Sequence, residues 1–112
     1  ILPLVTEAQA AGVATVAPGV EVKAIDDACR SHITAAGHGP HFSHGTGHGV
    51  GLDIHELPSI RRDNAAILQT GQVLTVEPGV YLPDVGGVRV EDLVVVTDRG
   101  CRPLTLSPKL SL

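Results

Sequence analysis

The sequence predicts an α+β domain, two helices followed by a mainly antiparallel sheet. Three observations carry the prediction. Apolar residues recur at helical spacing through residues 22–36, and a β-type pattern runs from Gln72 to Thr97 about a central turn. Between these two regions lies a run too rich in glycine to be helical. The chain has 112 residues, 43% of them hydrophobic, which allows one domain with a real core. With one Phe, one Tyr and no Trp, that core must be built from Val, Leu, Ile and Ala.

In chain order, residues 4–16 read as a helix of small residues with Val5, Gln9, Gly12, Val13 and Val16 on one side. Ala17-Pro18-Gly19 ends it. A second helix spans residues 22–36, where Val22, Ile25, Cys29, Ile33 and Ala36 form the apolar stripe and Asp26, Asp27 and Arg30 lie off it. Gly37 and Gly39-Pro40 close this helix. Residues 49–55 read as an extended, partly buried strand, and 58–71 as loop with one helical turn. The segments QVLTVEPGVYL and GVRVEDLVVVT then form a hairpin about the turn Pro83-Asp84-Val85-Gly86, and CRPLT adds a short strand.

A net charge of −4 with dispersed basic residues excludes a nucleic-acid or anionic-membrane surface as the expected role. The one basic doublet, Arg61-Arg62, reads as a solvated loop. Cys29 and Cys101 are too few for a disulfide framework and read as two buried thiols in a reducing compartment. No run approaches the roughly 18 apolar residues of a spanning helix, and no basic-then-apolar leader opens the chain. The expectation is a cytoplasmic protein without membrane contact. The first residue is Ile1 rather than Met, so the chain is expected to begin partway through a longer protein.

The chemistry concentrates in HGTGHGVGLDIHE, residues 44–56, which sets His44, His48 and His55 among four glycines. Imidazole is the commonest neutral metal ligand and the usual acid/base group near neutral pH. Of the three, His48 has the strongest claim as a ligand, flanked by Gly47 and Gly49. An odd offset along a strand puts His55 on the opposite face from His48 unless the chain twists or bulges. His32, His38 and His41 are assigned to helix surface and loop.

The second informative feature is a pair of carboxylates. A hairpin centred on Asp84 places Glu77 directly opposite Glu91, with Cβ atoms about 4.5–5.5 Å apart. Like charges so placed destabilise a hairpin, so positive charge is expected between them. Arg89 points to the same face as Glu91 and could neutralise one carboxylate by itself. Pro78 costs a ladder hydrogen bond and marks an edge or bulge beside Glu77. One imidazole and two carboxylates suit Mn, Zn, Co or Fe(II) better than a thiolate site would.

In order and at these separations, HGTGHGVGLDIHELP, TVEPGVYLP and GGVRVEDLVVVT resemble the C-terminal half of the pita-bread-fold metallopeptidases. The closest likeness is to the Xaa-Pro peptidases, aminopeptidase P and prolidase. EAQAAG and the APGV-helix segment extend it loosely over nearly the whole chain. The resemblance implies two helices packed on a curved, mainly antiparallel sheet, and residues 1–112 as the C-terminal part of a catalytic domain. It implies two divalent metal ions, Mn ahead of Co or Zn. His48 resembles the histidine ligand of one ion, Glu77 a ligand of the same ion that passes protons, and Glu91 the carboxylate bridging both. His44 and His55 resemble the non-ligating histidines that hold substrate and stabilise the tetrahedral intermediate, and Arg89 the arginine that props the bridging glutamate. The implied substrate is a proline-containing peptide, and the implied full-length protein a homodimer.

Two aspartate ligands of the family's site have no counterpart here: Asp26 and Asp27 fall in a helix and Asp53 in the histidine strand. The expectation is therefore a fragment whose dinuclear site needs an N-terminal half, inactive alone, with apolar surface exposed where strands are missing. Alternative readings are a non-catalytic pita-bread module that binds peptides or proteins, and a methionine aminopeptidase-like enzyme. A binding module has no need of His48, Glu77 and Glu91 together, and Arg89 within GGVRVED resembles the Xaa-Pro branch more closely.

Overall fold

A computed structural model of the chain describes residues 1–50 and 56–109. Helix α1 (Leu2–Thr15) starts with a proline in its first turn, where no helical N–H is required, and α2 (Val22–Ala35) packs along it. Small residues permit the close approach: a Cβ on Gly12 would collide with Cys29 Sγ. A Schellman-type turn ends α2, with Gly37 at φ +87° and the His38 and Gly37 N–H groups donating to the Ile33 and Thr34 carbonyls at 3.1 and 2.9 Å. At its other end, the Val22 and Lys23 N–H groups are satisfied by the Ala66 and Asn64 carbonyls, at 2.8 and 2.9 Å.

After a single 3₁₀ turn at Gly39–His41 come seven strands among the described residues: β1 (Gly47–Gly49), β2 (Glu56–Ile60), β3 (Val73–Val76), β4 (Gly79–Leu82), β5 (Gly86–Arg89), β6 (Asp92–Val96) and β7 (Cys101–Pro103). Five of them form an antiparallel sheet in the order β2-β1-β3-β6-β7, and β4 and β5 form a separate ribbon. Side chains from both layers share one core, with Val5, Ile25, Cys29 and Ile33 of the helices against Leu74, Val76, Val80 and Val94 of the strands. Each such buried aliphatic side chain contributes about 1.5–3 kcal/mol.

The predicted elements stand with several corrections. Ala36 caps α2 and is exposed rather than part of its buried stripe. Asp26 is fully buried rather than off the apolar stripe, because the buried face of α2 is wide enough to include it beside Val22, Ile25, Cys29 and Ile33. The expected loop at 58–71 begins as strand β2, at the end of the sheet order, where a proline is tolerated. Of the expected strand at 49–55, only Gly49 lies in β1 (Gly47–Gly49); Val50 is outside a strand, and residues 51–55 lie outside the described residues. Cys101 is only partly buried, unlike Cys29; neither forms a disulfide. Among the described residues, no helix is long and apolar enough to cross a membrane. Among the described residues, Val85 and Leu106 are the most exposed of the large apolar side chains.

Candidate metal centre

The hairpin register is the one expected. Val76 faces Asp92 in the β3–β6 ladder, while Gly79 faces Arg89 and Leu82 faces Gly86 in the β4–β5 ribbon, so both ladders are centred on Asp84. Asp84 takes φ +61° at the turn, a conformation that aspartate tolerates better than most residues. Glu77 and Glu91 fall between the two ladders, next to Pro78, where the regular pairing is interrupted.

Burial holds the Glu91 carboxyl above its ordinary range, and the neighbouring Glu77 adds to that through its charge and a side-chain hydrogen bond. Arg89 and His48 act against this rise. The expected repulsion is present, and Arg89 is the expected positive neighbour. Arg89 sits closer to Glu77 than the sequence suggested, with Nη1 4.0 Å from Glu77 Oε1.

His48 enters from β1. Its Nδ1 lies 2.8 Å from the Gly49 carbonyl oxygen, and since a carbonyl only accepts, Nδ1 carries the proton. Nε2 faces Glu77 Oε2 at 3.5 Å. An Nδ1–H bonded to a carbonyl, with Nε2 turned to a carboxylate, is the arrangement that orients a histidine ligand toward a metal. The His48 backbone is placed by its N–H, which donates to the Thr75 hydroxyl at 3.1 Å. Gly47 beside it must lack a side chain, because a Cβ would collide with the Thr75 carbonyl oxygen. The β1–β2 register shifts between His48 and Gly49, an irregularity of the kind needed to turn neighbouring side chains to one face. His55 lies outside the described residues.

His44 stands between the only Phe and the only Tyr of the chain. The Phe42 ring meets it edge-on at 5.1 Å between centroids, and the Tyr81 ring lies at 5.4 Å. Its Nδ1 donates to the Gly45 carbonyl at 2.6 Å, so Nε2 of the neutral ring accepts from the Tyr81 hydroxyl at 3.0 Å. Sequence reasoning missed Tyr81; the signal available was its rarity and its place within EPGVY. It also missed Thr46 and the buried pair Asp26–Arg30, whose i,i+4 spacing on α2 was legible.

A cleft of about 370 Å³ opens between these residues, bordered by His44, His48, Ser59, Glu77 and Arg89. Arg61 also borders it, so the expected solvated doublet places one side chain, exposed as it is, at the rim. Among the described residues, no three His, Cys, Asp or Glu side chains converge closely enough to hold an ion by themselves. His48 and Glu77 are the donors in direct proximity, and Glu91 stands across from Glu77. His32 and His41 are engaged elsewhere, His32 with Glu7 at 3.1 Å and His41 with His38 at 3.3 Å.

The chain belongs to metallopeptidase family M24, whose model matches residues 1–98. It is 50% identical over 109 residues to an uncharacterized peptidase of Bacillus subtilis, covering 97% of this chain and 31% of the relative. It is 42% identical over 105 residues to a Xaa-Pro dipeptidase of Pyrococcus horikoshii, covering 94% and 30%. In three dimensions it matches a prolidase from Pyrococcus furiosus with a TM-score of 0.95 at 43% identity, over 97% of this chain and 32% of that one. The chain thus spans about a third of the length of the relatives it matches.

Proposed function

We propose that this chain forms part of the active site of a metal-dependent peptidase that hydrolyses Xaa-Pro bonds, as a dipeptidase or an aminopeptidase P. The observation that carries the reading is the Glu77–Glu91 pair facing across the broken hairpin, with His48 Nε2 3.5 Å from Glu77. The donor set of one imidazole and two carboxylates fits two divalent ions, with Mn favoured over Co and Zn. Such ions lower the pKa of a bound water and polarise the scissile carbonyl. They would also relieve the repulsion that raises Glu91.

In this reading His48, Glu77 and Glu91 are the ligands, and Glu77 also carries the proton between nucleophile and leaving amine. His44 and His55 hold the substrate and stabilise negative charge on its carbonyl oxygen. For His44 this requires a proton on Nε2 as well as on Nδ1, so that Nε2 donates to a substrate oxygen instead of accepting from the Tyr81 hydroxyl. Arg89, within 4.0 Å of Glu77, steadies the carboxylates and borders the substrate. A Xaa-Pro bond is a tertiary amide with no N–H to grip, which puts the burden of recognition on donors to its carbonyl. The remaining ligands, two aspartates in the resemblance, would come from a segment outside these 112 residues, so the chain by itself would be inactive. The full-length protein would be a cytoplasmic homodimer acting on proline-containing peptides.

The test is hydrolysis of a Xaa-Pro dipeptide and a Xaa-Pro-initiated longer peptide by the full-length protein with Mn²⁺, against the same peptides with Ala for Pro. Cleavage confined to the proline peptides supports the reading. No cleavage of either proline peptide overturns it.

A further inference from the structure

One ion pair on α2 holds every second residue of the segment that leads into the histidine strand. Arg30 donates from Nε and Nη2 to the two Asp26 oxygens at 2.8 and 3.1 Å. The same guanidinium donates from Nη1 to the Phe42 carbonyl at 2.8 Å and from Nη2 to the His44 carbonyl at 2.9 Å. Asp26 Oδ1 accepts the Thr46 hydroxyl at 2.9 Å. Residues 42, 44 and 46, alternate positions of the segment that precedes β1, are thus all tied to α2, the first two by their carbonyls and the third by its hydroxyl. The Arg30 guanidinium also lies 4.1 Å over the Phe42 ring that flanks His44.

The link continues into the carboxylate hairpin. The Thr46 carbonyl accepts the Glu77 N–H at 2.6 Å, and the Thr46 N–H donates to the Ile60 carbonyl at 2.8 Å. The Asp26 side chain is fully buried and that of Arg30 is 18% exposed. A buried ion pair stabilises a fold little better than apolar packing would. What it adds here is geometry, since a rigid planar fork serves one carboxylate and two carbonyls at once, and a lysine ammonium cannot.

We infer that Asp26 and Arg30 are positioning residues: directly at the His44 carbonyl and through Thr46 at Glu77, they set the two backbones relative to each other, touching neither substrate nor ion. What they position is the proposed site, so the inference rests on that reading for its meaning while its test does not. The test is amide hydrogen exchange on the intact protein for Arg30→Lys, Thr46→Val and Thr46→Ser. Exchange at the Thr46 and Glu77 amides should accelerate about tenfold or more in Arg30→Lys and Thr46→Val, while the β3–β6 ladder keeps its rates. Thr46→Ser, which keeps the hydroxyl, should restore the Glu77 rate. Uniform acceleration across the sheet, or none at these amides, would overturn the inference. If Arg30→Lys does not fold, the Thr46→Val and Thr46→Ser pair decides. In Arg30→Lys and Thr46→Val kcat for the Xaa-Pro dipeptide should fall with KM unchanged, and Thr46→Ser should restore it. Absence of hydrolysis by the unmodified protein overturns the functional reading, and exchange still decides the positioning.

Discussion

The Tyr81 hydroxyl lies 3.0 Å from Nε2 of His44, and the ring that carries it covers Gly79 on its own strand and Gly87 on the facing one, leaving no space for a side chain at either. Tyr81→Phe keeps the packing and removes the donor. It should cost about 1 kcal/mol in urea unfolding, the net worth of one hydrogen bond. The ¹⁵N spectrum of His44 should shift from a dominant Nδ1–H form toward a mixture of tautomers. An unchanged spectrum would mean that Gly45 alone orients the ring.

Glu91 gives a pH dependence of definite sign. Its folded pKa lies above the ordinary 4.5, first through burial and then through Glu77, so the folded chain holds the proton more tightly than the unfolded one. Metal-free stability is then greatest below that ordinary value and falls as pH rises through the window above it. Glu91→Gln should flatten this part of a melting-temperature profile recorded with chelator. The residue is largely exposed and its carboxyl only partly covered, so salt should shrink the difference. A metal-free profile identical in the two proteins would remove the repulsion from the account.

How much of this was legible in the sequence depended on range. The Glu77–Glu91 register followed from strand period and one turn, because a hairpin is local and Asp84 fixed its centre. Helix α2 and its end were equally local. Strand β2 was not, since its proline is tolerable only in the place that the sheet order gives it. The partners of Asp26 were hidden for the same reason: Thr46, at a separation of 20 residues, is brought to it only by packing α2 against the histidine segment. The i,i+4 spacing of Asp26 and Arg30 on α2 was the one local hint.

Helix packing makes its own prediction. Gly12→Ala should destabilise the chain by about 1–3 kcal/mol, as overpacking does, because the added methyl meets Cys29 Sγ and Val76. Cys29→Ala removes the sulfur, so the double variant should lose less than the two single losses combined. Chemical denaturation of all four proteins checks the coupling. Simple additivity would place the two residues out of contact.

The cysteines should differ in reactivity. Burial pushes the Cys29 thiol up to about 12, against the lowering effect of a hydrogen bond with Thr46. Cys101 is raised by burial as well but is only partly covered. With a disulfide reagent at about pH 8, the native protein should yield Cys101 first and Cys29 only on unfolding. Fast labelling of Cys29 would contradict the packing described for α1 and α2.

The assignment of His48, Glu77 and Glu91 as ligands is tested most directly by the metal content of the full-length protein after Mn²⁺ loading and desalting, compared with Glu91→Ala and His55→Ala. Two ions per chain are expected in the unmodified protein and in His55→Ala, and at most one in Glu91→Ala. Full metal content in Glu91→Ala would contradict its role as the bridge, and loss of metal in His55→Ala would make that histidine a ligand instead.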